Sequence, residues 1–109
     1  MKELPNRYNQ PFDLSGLAEQ APGSIVSRAV MKSPAGSVTL FSFAEGEELS
    51  PHAAPFDAFV YIVDGEAAIE IGEKPHTVKK GEAIVMPANV SHAVRAREAF
   101  KMLLVMIKG

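Results

Sequence analysis

The chain has 109 residues, of which 47% are hydrophobic and 22% charged, and its formal net charge is −2 at pH 7. This composition is that of one globular domain rather than of a disordered segment. Because Lys and Arg are interspersed with acidic residues, the sequence argues against nucleic acid and anionic membranes as partners. The absence of cysteine excludes disulfides, zinc–thiolate sites and thiol nucleophiles.

The N-terminal region is expected to lie outside the main domain. Residues 4–11 have the character of an extended arm, and Asp13 is a candidate cap for a short helix over residues 14–20. We assign residues 1–23 to an N-terminal arm and short helix, and residues 24–109 to a single β-domain. The sequence contains no apolar run typical of a signal peptide or a membrane span, so we expect a cytoplasmic location.

Turn-forming residues divide the rest of the chain into short segments. Gly, Pro, Asn and Asp recur about every 8 to 12 residues, a spacing typical of an all-β sandwich or barrel. The segments between them predict about eight strands, at residues 24–31, 37–44, 59–63, 67–71, 76–78, 83–86, 93–97 and 100–107. Asp64-Gly65 separates two of these strands and is the strongest hairpin signal, since both residues tolerate positive φ.

Two predicted strands are apolar on both faces. Residues 59–63 read FVYIV and residues 102–107 read MLLVMI, without the alternation of a strand that has one face in water. One face fills the interior of a small barrel, and the other requires a second layer. We expect a homodimer to cover it, because an exposed apolar patch of that size is unfavourable. Coverage by the N-terminal arm of the same chain is the alternative.

Two glycine-framed segments resemble the signature motifs of the cupin superfamily. The first motif of that family consists of Gly, five residues, His-x-His, three or four residues, Glu or Gln, six residues and Gly. Here Gly46 and Gly65 frame the segment, and His52 occupies the first His position. Ala54 and Ala58 replace the second His and the Glu or Gln.

The second segment keeps the spacing of the second cupin motif. Gly81, Pro87 and His92 stand in register with the Gly, Pro and His of the family. Asn89 replaces a Gly, and Ala96 replaces an Asn. Asn89 is a suitable replacement because Asn tolerates left-handed φ better than most residues.

The resemblance covers roughly residues 24–107 and implies a small, single-domain, conserved-barrel cupin, an all-β double-stranded β-helix with a jelly-roll-like barrel. In that family, about three His and one carboxylate or amide hold a divalent metal such as iron, manganese, zinc or nickel. This chain keeps only His52 and His92, so we expect no tightly bound metal. Asp57, one residue before the lost Glu position, is a candidate third ligand if a β-bulge turns it inward, because strand neighbours face opposite sides.

The small side chains at the lost ligand positions favour a pocket for an organic ligand. Ala54 and Ala58 make the space beside the two His residues roomier and less polar, and Met86 is a candidate lining residue, although core packing is the more common role of a Met. We predict that the barrel binds a small molecule through hydrogen bonds from His52 and His92. His76 matches no ligand position and is expected to be exposed.

Two other functions are compatible with the sequence. A metal-dependent isomerase, lyase or oxygenase acting on a small organic acid or sugar would use His52, His92 and Asp57 as a reduced metal site. A structural or regulatory dimer would make no use of the pocket. No Gly-rich phosphate loop, nucleophile elbow or HExxH motif indicates another catalytic mechanism.

Overall fold

The computed structural model describes residues 9–108. Within this range the chain forms nine β-strands and one 3-10 turn, Ser15–Leu17. The strands in chain order are β1 (Ile25–Ser33), β2 (Gly36–Phe43), β3 (Glu48–His52), β4 (Asp57–Asp64), β5 (Glu66–Ile71), β6 (Lys74–Lys79), β7 (Ala83–Met86), β8 (His92–Arg95) and β9 (Phe100–Ile107). No helix in the described residues is long and apolar enough to cross a membrane.

The strands form two antiparallel sheets that pack face to face. Sheet A has five strands in the order β1-β2-β9-β4-β7, and sheet B has four strands in the order β3-β8-β5-β6. Strands that follow each other in sequence often lie in different sheets, which is the connectivity of a jelly-roll-like barrel rather than of a meander. The all-β, jelly-roll-like fold predicted from the sequence is therefore confirmed.

Alternation along the strands builds the core between the two sheets. In β4, the side chains of Ala58, Val60 and Ile62 are buried in this core. Phe59 and Tyr61, which alternate with them, lie on the outer face of sheet A. The other fully buried large side chains of the core are Phe43, Ile69, Val94, Phe100 and Met102.

Strand β3 is the element that the sequence does not predict. It forms an edge of sheet B and pairs with β8. Pro51 and the polar residues around it weaken the strand signal, yet Pro is compatible with an edge strand, where its missing N–H leaves no partner unpaired. Because β3 ends at His52, its formation decides where a predicted site residue lies.

The Asp64-Gly65 turn connects the two sheets instead of two strands of a hairpin. Strand β4 pairs with β7 and β9 in sheet A, whereas β5 pairs with β6 and β8 in sheet B. The hairpin prediction is therefore wrong, because residues that tolerate positive φ specify a tight turn but not the strand that pairs after it. Gly65 does have a φ of 72°, and a Cβ there would lie 2.6 Å from the carbonyl oxygen of Ala99.

The N-terminal segment contains no α-helix within the described residues. The predicted helix over residues 14–20 is reduced to the 3-10 turn Ser15–Leu17, and Asp13 does not cap it, since Leu14 is the N-cap residue and makes no side-chain hydrogen bond. A seven-residue segment that includes Gly16 forms too few hydrogen bonds to offset the free energy of helix nucleation. The part of the predicted arm before residue 9 lies outside the described residues.

The described part of the arm packs against sheet A. Ala18 is fully buried. The Lys101 ammonium of β9 donates a hydrogen bond of 2.6 Å to the Ser15 carbonyl, and the Gln20 amide donates to the Phe100 carbonyl at 3.4 Å. The segment therefore lies along the outer side of β9.

Candidate functional site

His52 and His92 are brought together by the pairing of β3 with β8. His52 is the last residue of β3 and His92 is the first residue of β8, and the two are direct partners in the register of these strands. Their imidazole rings meet edge to face, with centroids 4.4 Å apart and an angle of 68° between the ring planes. Two residues far apart in sequence therefore form one pair of side chains.

The two imidazoles have different surroundings. His92 is buried, with 7% of its surface exposed, whereas His52 is exposed. Nδ1 of His52 lies 2.9 Å from the Ser50 carbonyl oxygen, so this nitrogen carries the hydrogen of that bond. In the neutral ring, Nε2 of His52 is then a hydrogen-bond acceptor.

His92 has a polar atom without a partner. Its Nδ1 is buried and has no hydrogen-bond partner of good geometry among the described residues, although the Val90 backbone lies close enough to act on the ring as a weak hydrogen-bonding group. Burial lowers the pKa of His92 below the ordinary value of 6.5, and the neighbouring His52 lowers this pKa further, while the backbone of Val90 opposes the shift to a smaller extent. His92 is therefore neutral at pH 7, and its ring can donate one hydrogen bond and accept another.

Two loops connect the sheets at the end of the barrel that carries the His pair. The loop of residues 53–56 leads from β3 to β4, and the loop of residues 87–91 leads from β7 to β8. The Asn89 backbone N–H donates a hydrogen bond of 2.8 Å to the Ala54 carbonyl, which ties the two loops together. Asn89 has a φ of 64°, the left-handed conformation expected of a residue that replaces a Gly.

The other three predicted pocket residues lie at the same end of the barrel. Ala54 is half-buried in the loop of residues 53–56. Ala58 and Met86 are buried partners near the beginning of β4 and at the end of β7. Both belong to the core between the sheets, so they contribute to packing, and their contact with a ligand stays a prediction.

The carboxylate of Asp57 is hydrogen-bonded to the loop of residues 87–91. It is exposed while its neighbour Ala58 is buried, as in a regular strand, and the pairing of β4 shows no register shift at this end. Oδ1 of Asp57 accepts a hydrogen bond of 2.8 Å from the backbone N–H of Ala88, in the loop that leads to His92. The carboxylate therefore stabilises the loop conformation next to the His pair.

The donor set does not fit a tightly held divalent metal. Within residues 9–108, no three His, Cys, Asp or Glu side chains form a group that could hold an ion. Two imidazoles alone leave most coordination positions of iron, manganese, zinc or nickel to water, which makes binding weak.

A separate groove lies on the outer face of sheet B. It has a volume of about 310 Å³ and is lined by residues of all four strands. An exposed ion pair lies at its rim, with Nε of Arg95 3.1 Å from Oε2 of Glu48. His76 lines the groove and is exposed, as predicted, whereas neither His52 nor His92 lines it. Its polar side chains are those of a sheet face that is in contact with water.

Two contributors to the site have no signal in the sequence. The Ser50 carbonyl accepts a hydrogen bond from His52 and orients its ring, and the Ala88 N–H donates a hydrogen bond to the carboxylate of Asp57. Because backbone groups act in both cases, the identity of the side chain does not reveal them. The register of β3 also shifts between Leu49 and His52, so alternation along this strand would not indicate the contact between His52 and Ser50.

Comparison with known proteins identifies the family. The family model of the cupin domain (Cupin_2) matches residues 39–108. The crystal structure of the conserved SPY1581 protein of unknown function from Streptococcus pyogenes shows 35% sequence identity and a TM-score of 0.90, over 100% of this chain and 96% of that one. A cupin 2 conserved barrel domain protein from Leptotrichia buccalis shows 46% identity and a TM-score of 0.86, over 89% of this chain and 47% of that one.

A curated relative matches a shorter part of the chain. Protein SchB from Streptomyces halstedii is 31% identical over 51 residues, which are 46% of this chain, and the chain spans 37% of the length of that protein. The match to the family model is longer: it begins within β2, extends through β9, and so includes every strand around the His pair. The chain belongs to the cupin superfamily of conserved-barrel proteins.

Proposed function

We propose that this cupin domain binds a small polar or acidic organic molecule at the barrel end where His52 and His92 meet. The observation that carries the proposal is the buried, unpartnered Nδ1 of His92 beside a second imidazole. A buried polar atom without a partner is uncommon in folded proteins and destabilises them by roughly 1–3 kcal/mol. A ligand atom that reaches Nδ1 removes part of this destabilisation, which favours binding.

The His pair selects a ligand by its hydrogen-bonding groups. His92 is neutral at pH 7, because burial and His52 both lower its pKa. Nε2 of His52 accepts a hydrogen bond when Nδ1 donates to Ser50. A hydroxyl group can donate to one ring and accept from the other, and a carboxylate can accept from the N–H of the neutral His92 ring. Small organic acids and sugars carry these groups.

The side chains at the lost ligand positions are small and apolar. Ala54 and Ala58 occupy positions where the cupin pattern has larger, ligating side chains, so they reduce both the volume and the polarity of the wall. Met86 is the register partner of Ala58, and its flexible side chain can adjust to an irregular ligand. These features support an organic ligand rather than an ion as the occupant.

A metal-dependent enzyme is the second candidate that the sequence raises. It requires Asp57 to join the His pair, but Oδ1 of Asp57 is hydrogen-bonded to the loop of residues 87–91. The proposal therefore includes no tightly bound metal. Elemental analysis of protein purified without chelators separates the two functions. Stoichiometric iron, manganese, zinc or nickel that disappears in His52→Ala/His92→Ala would contradict our proposal.

A thermal-shift screen with small organic acids and sugars tests the proposal. At ten times its Kd, a ligand stabilises the folded protein by about 1.4 kcal/mol, which raises the Tm of a domain of this size by roughly 6–10 °C. We expect at least one compound to raise the Tm of the wild type and of the control His76→Ala, but not of His52→Ala/His92→Ala. A broad library that shifts no Tm, or shifts the double variant equally, contradicts the proposal.

A further inference from the structure

The two central strands of sheet B carry alternating short and charged side chains on their outer face. Ala68 of β5 is the register partner of Arg95 of β8. In the next row, Ala93 of β8 is the partner of Glu70 of β5. Directly paired residues lie on the same face of a sheet. The residues on either side of these four are buried or pack against the core, so all four side chains face outward.

The two alanines form the floor of the groove on this face. Both Ala68 and Ala93 line the groove, and both are only half-buried. Because each alanine lies opposite a long charged side chain, the surface is low at the alanines and high beside them. The groove has a volume of about 310 Å³, which is at the lower end of the range for small-molecule pockets. It therefore has room for a small organic molecule.

Two acidic and two basic side chains line the groove, besides His76. Glu48 and Arg95 neutralise each other, since Nε of Arg95 lies 3.1 Å from Oε2 of Glu48. Glu70 and Arg97 have neither an ion pair nor a side-chain hydrogen bond to any other described residue. One negative and one positive group of the groove are therefore available to a ligand.

Glu70 and Arg97 approach the groove from opposite ends. Ala93, the partner of Glu70, precedes Arg97 by four residues, which is about 13 Å along an extended chain at roughly 3.3 Å per residue. Ala96, between Arg95 and Arg97, is buried in the core, so Arg97 lies on the outer side as Arg95 does. A ligand with two opposite charges fits between the carboxylate at one end and the guanidinium at the other.

The two available charges select among classes of ligand. An anion such as phosphate is attracted by Arg97 but repelled by Glu70, and for a cation the two effects are reversed. An uncharged molecule displaces water from both charged groups without pairing either of them, which is unfavourable. A small zwitterion pairs both groups at once and therefore has the complementary pattern of charge.

We propose that the groove on the outer face of sheet B is a binding site for a free amino acid. The ammonium group of the ligand donates hydrogen bonds to the Glu70 carboxylate. The carboxylate of the ligand accepts two parallel hydrogen bonds from the Arg97 guanidinium. Ala68 and Ala93 lie beneath the ligand. The site is independent of the ligand proposed for the barrel end, because the described residues that line the groove do not include the His pair.

An NMR titration of the backbone amides with free amino acids tests the site. Because both charged groups are exposed, we expect Kd values on the order of 1 mM. The standard L-amino acids, β-alanine and γ-aminobutyrate vary the side chain of the probe and the distance between its two charges. At least one of them should shift the amide resonances of Ala68, Ala93 and Thr77 in a saturable manner. A panel that leaves these resonances unchanged overturns the proposal.

Derivatives of the amino acid that binds show whether the groove recognises both charges. N-acetylation removes the positive charge of the probe, and amidation of its carboxyl group removes the negative charge. We expect each derivative to bind at least tenfold more weakly, because each leaves one charged group of the groove without a partner. Equal binding of either derivative contradicts recognition of a zwitterion.

Charge-removing variants assign the contacts to residues. Glu70→Gln and Arg97→Gln should each bind the amino acid at least tenfold more weakly than the wild type. Glu73→Gln and Arg28→Gln, at exposed positions that do not line the groove, are the matched controls and should bind like the wild type. Ala68→Leu fills the floor of the groove and should abolish binding. Wild-type affinity in Glu70→Gln and Arg97→Gln overturns the proposal.

The double variant His52→Ala/His92→Ala distinguishes this site from the one at the barrel end. The variant should keep the affinity of the wild type for the amino acid, whether or not the His pair binds a ligand of its own. If the double variant loses the amino acid while Glu70→Gln and Arg97→Gln retain it, the amino acid binds at the His pair, and the proposal for the groove is wrong.

Discussion

His52 and His92 are direct partners across β3 and β8, and the exposed ring of His52 meets the buried ring of His92 edge to face at 4.4 Å. The contact disfavours protonation of His92, because a positive charge on His52 opposes a positive charge on His92. Burial of His92 acts in the same direction and is the larger cause. The pair is therefore a site where pH, stability and ligand binding are linked.

The stability of the fold is predicted to fall as pH drops below about 6.5. Because the pKa of His92 is lowered in the folded protein, the unfolded chain binds a proton between pH 6.5 and the folded pKa, and the folded protein does not. The free energy of unfolding decreases as the pH falls through this window. Below the window, His92 makes no further contribution to the decrease. Urea unfolding from about pH 8 to about pH 5.5 measures the effect.

Two His variants isolate the contribution of His92 to this pH dependence. The decrease in the free energy of unfolding should be smaller in His92→Gln than in the wild type. The control His76→Gln, at an exposed position of β6, should keep the wild-type dependence. An unchanged pH dependence in His92→Gln contradicts the prediction.

Removal of the His52 ring is predicted to raise the pKa of His92. The charge of His52 is the second cause of the lowered pKa, so His52→Ala removes it while burial keeps the pKa below 6.5. An NMR titration of the His side-chain resonances measures this directly, with His76→Ala as the matched control that leaves the pKa of His92 unchanged. A pKa of His92 that falls or stays constant in His52→Ala is the contrary result.

Replacement of His92 by Leu is predicted to stabilise the protein while it abolishes ligand binding. The variant removes a buried nitrogen that has no partner and adds an apolar side chain of similar size, which increases the free energy of unfolding by about 1 kcal/mol. Denaturant unfolding measures this change, and His76→Leu on the exposed surface should show no such increase. A clearly destabilised His92→Leu would mean that the ring makes an interaction that the fold needs.

The carboxylate of Asp57 is predicted to act through its oxygen acceptor and not through its charge. Asp57→Ala leaves the Ala88 N–H without its partner and should lower the free energy of unfolding by about 0.5–1.5 kcal/mol, with faster hydrogen exchange at that amide. Asp57→Asn keeps an oxygen at this position and should stay near the wild type. Equal losses in both variants would contradict this role.

Gly65→Ala is predicted to destabilise the protein more than Gly81→Ala. Both glycines have positive φ, 72° and 86°, so a Cβ brings backbone strain of about 1–2 kcal/mol at either position. A Cβ at Gly65 also lies 2.6 Å from the Ala99 carbonyl oxygen, while nothing lies within 4 Å of one at Gly81. The difference between the unfolding free energies of the two variants measures the cost of the clash. Equal values would show that the turn between the sheets can shift to accommodate the Cβ.

The sequence by itself determined the architecture and the places of the possible ligands. Gly, Pro and Asn at regular intervals predict short strands, because the conformations that these residues favour end strands locally. Because a strand has a period of two, the sequence places Asp57 and Ala58 on opposite faces of β4, and the structure exposes the first and buries the second. The spacing of His52 and His92 within the two glycine-framed segments marked them as a pair. The first two inferences depend on residues that are close in sequence, and the third depends on the resemblance of two separate segments to the cupin motifs.

Only the tertiary structure decided which strands pair and what the polar groups contact. It placed the Asp64-Gly65 turn between two sheets, made a strand of the Pro-containing residues 48–52, and joined Asp57 to the Ala88 N–H. It also left Nδ1 of His92 buried without a partner. These outcomes depend on packing between segments distant in sequence, where the free energy of the whole barrel overrides the preference of any short stretch of residues.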